Sequence, residues 1–277
     1  MLMKKLLKNN PYVQSPTWPE VERLIADISI ADTYYQRGDK RATQDLERVV
    51  HKHRAWIASC VDLTGFDYCY ATAGATEALN AWRLSDSRPW QMLEGDYQWP
   101  NMLSGDGEVV DSIVDDKVLY ISNPQCATGN FVSNDFLADV DVPVILDCAY
   151  LGATPNKKIT VPKNTEQIMF SFSKGWGLIG QRCGLLYTKE PHPVLDPLQK
   201  VECWNYSIPR IIETIIDNFE PDSMYNHFRS TQLELCNKYN VTPSDTYFIA
   251  TSTDEYYEVR RRKGKEARLC LTPLIKK

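Results

Sequence analysis

The run SFSKGWGLIGQRCG, residues 171 to 184, sets one lysine, Lys174, among small residues and follows it eight positions later with an arginine, Arg182. It continues the apolar stretch QIMFSFS (167–173), which reads as a strand, so Lys174 stands where a buried strand gives way to a turn. The fold and the chemistry both turn on what needs a primary amine at that point.

Working outward, short apolar runs rich in strand formers recur: FDYCYAT (66–72), PWQML (89–93), KVLYIS (117–122), VPVILDCAY (142–150) and CGLLYT (183–188). Several are apolar on both faces, the pattern of strands covered by helices on each side. The intervals carry helix signals. ATEALNAWR after Gly74 has apolar spacing and good helix formers, and SNDFLADV (133–140) offers a serine cap with Pro143 as a stop. The expectation is an α/β domain over residues 45–205, three-layered αβα with a mostly parallel sheet. Residues 1–44 form an N-terminal arm with one helical stretch, PEVERLIADI. Residues 206–277 form a small α+β domain, with WNYSIPRIIETIIDNF helical and TYFIATS and ARLCLTPL as strands.

The bounds agree with a globular enzyme. The chain has 277 residues, 43% hydrophobic and 24% charged, enough for a sizeable core. A net charge of −5 gives no general attraction to nucleic acid, and the basic run Arg260, Arg261, Arg262, Lys263 and Lys265 reads as a solvated face or loop. No stretch is apolar and long enough to span a bilayer, and MLMKKLLKNN has neither the apolar core nor the cleavage site of a leader, so a cytoplasmic protein without membrane partners is expected. The eight cysteines lack zinc or disulfide spacing and read as buried free thiols. His51 and His53 in HKH read as a solvated helix face, and no metal is expected. GATPNKK (152–158) lacks the arrangement of a nucleotide phosphate loop.

Ligands of such sheets gather at the carboxyl ends of the strands. This sequence puts there AGATEAL, a small-residue turn opening a helix; GDYQWPN, with two aromatics; NPQCATG; Asp147 with Tyr150 three residues on; and Lys174 with Arg182. Each alone has a structural reading as packing, turn or helix cap. Their joint order is harder to explain that way.

The ordered set GATEAL, NP(x)nTG, D-x-A-Y and S-x-S-K-x-x-G-L-x-G-x-R-x-G resembles the fold-type I, pyridoxal phosphate-dependent aminotransferases, closest to their class I/II branch, over residues 70 to 188. The resemblance implies pyridoxal 5′-phosphate as cofactor, with Lys174 as the lysine that forms its Schiff base and later moves a proton at the substrate α-carbon. Asp147 is then the partner of the pyridine nitrogen, and Asn123 and Tyr150 are donors to the ring oxygen. Gly74, Ala75, Thr76, Ser171, Ser173 and Arg182 become phosphate ligands, the arginine through its planar fork. Trp99 is the expected aromatic on the ring face, with Tyr97 as the alternative. Arg268, in ARLCLTPL, resembles the clamp for a substrate α-carboxylate; otherwise it is a surface charge. Tyr35, Tyr206 and Ser207 resemble residues of a cross-subunit contact, which implies a homodimer.

Departures accompany the match. The chain is shorter than is usual for these enzymes, so the substrate pocket is expected to be open or completed by a partner subunit. NPQCATG carries Cys126-Ala127 where Asn-Pro is commoner. The function implied is transfer of an amino group between an amino acid and a 2-oxo acid. A lyase, cyclase or decarboxylase on the same scaffold, or a non-catalytic binding protein derived from it, stands as the alternative.

Overall fold

The computed structural model describes residues 2–29, 34–35 and 39–275. The helices in chain order are α1 (Leu2–Asn9), α2 (Pro19–Ala26), α3 (Arg41–Ile57), α4 (Ala75–Ser85), α5 (Trp99–Ser104), α6 (Asn134–Ala138), α7 (Phe172–Gly175), α8 (Leu195–Lys200), α9 (Ser207–Asn218) and α10 (Ser223–Tyr239). The strands are β1 (Tyr68–Thr72), β2 (Trp90–Leu93), β3 (Glu108–Val110), β4 (Val118–Ser122), β5 (Val144–Asp147), β6 (Thr165–Ser171), β7 (Gly184–Thr188), β8 (Thr242–Pro243), β9 (Ile249–Ser252), β10 (Arg261–Lys263) and β11 (Glu266–Cys270).

A seven-stranded sheet runs in the order β1-β7-β6-β5-β4-β2-β3. From β3 to β6 the pairing is parallel, while β7 lies antiparallel between β6 and β1. Side chains alternate across the pleat and sort the core into two layers. Tyr120, Ile145, Met169 and Leu186 face α4, where Ala78, Leu79 and Trp82 meet them. Leu119, Ile121, Leu146, Phe170 and Tyr187 face the other way, towards Leu46, Val49 and Ile57 of α3 and Ile211, Ile212 and Ile215 of α9. This is the expected three-layer αβα domain, and all six anticipated strands form.

The second sheet, β10-β11-β9-β8, is antiparallel and has α10 against β8. α9 packs on α3 and β1. Arg48 to Glu213 at 2.7 Å and Lys52 to Asp217 at 2.8 Å bridge α3 and α9 at the surface, where ion pairs add little beside the apolar face beneath them.

Several local expectations change. Ser133 precedes α6 but its side chain makes no cap bond, and the helix ends at Ala138, well short of Pro143. His53 is not on a solvated face. It is 1% exposed, Nδ1 meets Tyr187 Oη at 2.9 Å, and burial lowers its pKa to about 3; His51 is the exposed one. All eight cysteines are free and most are buried, but Cys69 is half-buried and Cys203 exposed. α10 carries no clear helical pattern in the sequence because its inward residues Met224, Phe228, Gln232, Cys236 and Tyr239 mix polar with apolar, and β3 is only three residues long. Among the described residues, no helix is long and apolar enough to cross a membrane, and no group of three or more His, Cys, Asp or Glu could hold a metal.

Candidate active site

A cavity of about 570 Å³ opens at the carboxyl ends of β4, β5 and β6, whose last residues, Ser122, Asp147 and Ser171, line it. The N-terminus of α4, residues 96–99, β11 and the chain at residues 11–14 complete its wall. Parallel strands ending in register bring together residues far apart in sequence: Ser122 pairs with Asp147, and Asp147 with Met169.

Lys174 sits on α7, the single helical turn after β6, and projects into this cavity. Its amine donates to the carbonyl of Val13. Burial lowers its pKa, and the guanidinium groups of Arg268 and Arg182 act in the same direction. Asp147 is 3% exposed. Burial pushes its carboxyl up to about 6, against the Tyr120 hydroxyl and Ala149 N–H, each donating at 2.8 Å, which favour the charged form.

On the other side of the cavity the backbone turns at Gly74 (φ 74°) into α4. A Cβ added to Gly74 would stand 3.2 Å from Arg182 Nη2, 3.3 Å from Ser171 Oγ and 3.4 Å from Ser173 Oγ. Three side-chain groups from two segments thus converge on a space beside the Gly74 turn that glycine leaves open. Arg182 is steered there from a left-handed backbone (φ 49°), its Nη2 donating to the Ala73 carbonyl at 2.9 Å and Thr76 Oγ1 at 3.1 Å. Ser173 Oγ is buried and has no partner among the described residues. Ala75 and Thr76 begin α4, with N–H groups at the positive end of its dipole.

Asn123 is fully buried. Its Oδ1 accepts from Val132 N at 3.0 Å, and its Nδ2 donor has no partner among the described residues. Tyr150 lines the cavity with its hydroxyl 3.9 Å from Cys126 Sγ, and burial raises its pKa, keeping it a donor. Arg268 is 8% exposed, which removes the surface-charge reading. It lies within β11, and its Nη1 donates to the Cys126 carbonyl and lies 2.9 Å from Cys126 Sγ. Trp99 and Tyr97 both line the cavity, but they differ in attachment. The Trp99 indole N–H is held by Asn80 Oδ1 at 2.8 Å, whereas Tyr97 lies near Asp147, Thr76 and Arg182, with its pKa raised by burial and then by the Asp147 charge.

Tyr35 and Tyr206 stand apart from this cavity and beside each other, rings 5.6 Å apart. The Tyr35 hydroxyl donates to Asp45, which also pairs with Arg210 at 3.0 Å. Ser207 begins α9 next to them, its N–H donating to Asn205.

Three residues that line the cavity, and Tyr120 behind Asp147, carried no usable signal. Tyr120 is one apolar position among five in β4, and only the strand pairing brings it to Asp147. Asp96 is buried with its carboxylate on Ser122 N and Oγ and on Tyr97 N. Val13 arrives from an arm whose path no local pattern gives. Arg262 belongs to the basic run read as solvated, and although exposed it lines the cavity mouth.

This donor set fits pyridoxal 5′-phosphate. An open cradle of hydroxyls and a guanidinium suits its phosphate, a buried carboxyl its ring nitrogen, and the unpaired Asn123 Nδ2 with Tyr150 Oη its ring oxygen.

Comparison with known proteins points the same way. The family model of aminotransferase class I and II matches residues 103–219. No curated protein sequence matches the chain. Among solved structures, a probable N-succinyldiaminopimelate aminotransferase of Thermus thermophilus is similar at a TM-score of 0.66 and 14% identity, covering 98% of this chain and 95% of that one. Histidinol-phosphate aminotransferase of Sinorhizobium meliloti, solved with pyridoxal-5′-phosphate, gives 0.62 at 13% identity, covering 93% and 84%. L-threonine-O-3-phosphate decarboxylase of Porphyromonas gingivalis gives 0.62 at 14%, covering 93% and 94%. By its three-layer architecture and these likenesses the chain has the fold of the fold-type I aminotransferases, and between residues 103 and 219 its sequence matches their class I and II.

Proposed function

We propose that this protein is a pyridoxal 5′-phosphate enzyme that moves an amino group between an amino acid and a 2-oxo acid. The observation that carries the proposal is the convergence of Lys174, Asp147 and the Gly74–Ser171–Ser173–Arg182 cradle on one cavity. When bound, the cofactor supplies an electron sink that weakens bonds at the substrate α-carbon.

The chain's own groups have distinct tasks. Arg182, Ser171, Ser173 and the N–H groups at Gly74, Ala75 and Thr76 hold the phosphate. Asp147 keeps a proton on the ring nitrogen, and Asn123 Nδ2 and Tyr150 Oη donate to the ring oxygen. Tyr97 and Trp99 wall the ring, and Tyr97 lies nearer to the polar groups of the site. Arg268 takes the substrate α-carboxylate in place of the Cys126 carbonyl. Lys174 Nζ, neutral more readily than an exposed lysine, takes the α-proton of the substrate and returns it. The working unit is read as a homodimer, with Tyr35 and Tyr206, which sit outside their own chain's cavity, at the subunit contact.

The test is the visible absorption of the purified protein with added pyridoxal 5′-phosphate, before and after borohydride, followed by peptide mapping and product analysis with a panel of amino acids. A yellow protein, a reduced pyridoxyl mass on Lys174 and a 2-oxo acid product are expected, with all three lost in Lys174→Ala. Release of carbon dioxide instead of a 2-oxo acid would identify a decarboxylase on the same site. A protein that stays colourless would end the enzyme reading.

A further inference from the structure

One buried carboxylate of the cavity has no task in the reaction proposed above. Asp96 lies just past β2, and its oxygens accept from Tyr97 N at 2.7 Å, from Ser122 N at 2.9 Å and from Ser122 Oγ. β2 and β4 are parallel neighbours, so the chain leaving β2 comes beside Ser122, the last residue of β4.

The Ser122 hydroxyl is thereby fixed in direction. A charged carboxylate can only accept, so Ser122 Oγ donates its one hydrogen to Asp96 and turns its lone pairs elsewhere. They receive Cys126 N at 2.7 Å. Cys126 in turn holds Arg268, whose Nη1 donates to the Cys126 carbonyl and lies 2.9 Å from its Sγ. A continuous path of bonds therefore runs from Asp96 through Ser122 and Cys126 to Arg268. All four residues are buried and all four line the cavity. Such a network keeps its geometry because each broken link leaves a buried polar group unpaired.

The path matters more than the field between the charges. Burial raises the Asp96 pKa, the bonds from Ser122 and Tyr97 favour the charged form, and the Arg268 charge contributes least. A neutral amide could not replace the carboxylate. Asparagine has one oxygen, so in either orientation its NH2 would face the N–H of Ser122 or of Tyr97. At the far end of the path, the Cys126 carbonyl fixes where the Arg268 guanidinium stands until a carboxylate takes over from it. A long side chain already held in place loses less freedom when its ligand arrives.

We propose that Asp96 is a positioning residue: acting through Ser122 and the Cys126 turn, it aims Arg268 at the α-carboxylate of the substrate. The inference rests on the task proposed for Arg268 and names what holds that arginine ready.

The experiment mixes the loaded protein with aminooxyacetate, which carries a carboxylate, and with O-methylhydroxylamine, which does not. The aminooxy nitrogen of either reagent displaces Lys174 from the cofactor, one C=N bond forming as the other breaks and Lys174 leaving as its free amine. The change in cofactor absorbance gives both rates in wild type, Arg268→Gln, Asp96→Asn and Ser122→Ala, each divided by the rate on free pyridoxal 5′-phosphate. Aminooxyacetate is expected to react about tenfold or more faster than O-methylhydroxylamine in wild type, as a carboxylate bonded to a guanidinium implies. The ratio should fall to within about threefold in R268Q, D96N and S122A, while the O-methylhydroxylamine rate of D96N and S122A stays within about threefold of wild type. S122A removes one hydroxyl and keeps the Asp96 charge, so it decides by itself where D96N does not fold. A folded D96N or S122A that keeps the wild-type ratio, or that slows both reagents equally, overturns the inference, and loss of the ratio in R268Q then leaves the Arg268 clamp standing. A wild-type ratio near one overturns clamp and inference together. Absence of cofactor absorbance overturns the cofactor site with them.

Discussion

Asp147 is 3% exposed at the end of a buried strand, and the state of its carboxyl depends on what it faces. In the cofactor-free protein burial holds its pKa near 6, above the ordinary 3.8. The native state therefore binds its proton more tightly than the unfolded chain. The resulting stabilisation is complete below about pH 3.8 and is lost as pH rises through about 6, by up to about 3 kcal/mol. Urea unfolding of the cofactor-free protein between pH 4 and 8 should show wild type losing stability relative to Asp147→Asn over that window. The gap should close when pyridoxal 5′-phosphate places a protonated ring nitrogen against the carboxylate. Equal pH dependence of the two proteins would remove Asp147 from its place as a strained buried acid. Asp147, Lys174, Arg182 and Asn123 were readable because fixed spacings place them at strand ends. Tyr120 and Arg262 were not, because one depends on the register between strands and the other on a hairpin docking across the chain.

At the scale of elements, the cradle depends on how closely β7 lets the Gly74 turn approach. A Cβ on Gly184, the first residue of β7, would meet the Phe170 carbonyl at 2.4 Å and Gly74 Cα at 2.9 Å. These are backbone atoms and cannot swing aside. Gly184→Ala should therefore push β7 from β6 or the Gly74 turn from β7, costing about 1–3 kcal/mol and loosening the phosphate ligands together. Among the described residues nothing lies within 4 Å of a Cβ added to Gly180, so Gly180→Ala should stay within about 0.5 kcal/mol of wild type. Denaturant midpoints and pyridoxal 5′-phosphate affinity, measured on both variants, check this; a Gly184→Ala protein as stable and as tight-binding as Gly180→Ala would refute the close-packing argument. The main sheet was legible because its strands are apolar on both faces, as in VLYIS of β4. The antiparallel placement of β7 was not, since GLLYT carries no mark of direction. α10 shows the same limit, with Gln232 bonding the Ser244, Thr246 and Ile249 carbonyls from what would otherwise be an apolar stripe.

Over the whole molecule, the cavity is where separate parts of the chain meet. The large sheet contributes Ser122, Asp147 and Ser171, the C-terminal hairpin Arg262 and Arg268, and the arm the Val13 carbonyl that holds Lys174. The arm is tied down elsewhere as well, with the Gln14 carbonyl accepting from Thr272 and the Lys8 carbonyl from Arg260 at 2.7 Å. A ligand that binds this junction binds only the folded chain, so its free energy adds to the stability of all three parts together. At about a thousand times its dissociation constant that contribution is roughly 4 kcal/mol, which for a chain of this size raises the melting temperature by about 8 °C. Calorimetry should show one transition that moves upward with pyridoxal 5′-phosphate in wild type, and a much smaller shift in Gly74→Ala, where the added Cβ fills the phosphate cradle. Two transitions, of which only one responds, would mean that the hairpin and arm unfold apart from the sheet and that the junction does not hold the molecule as one unit.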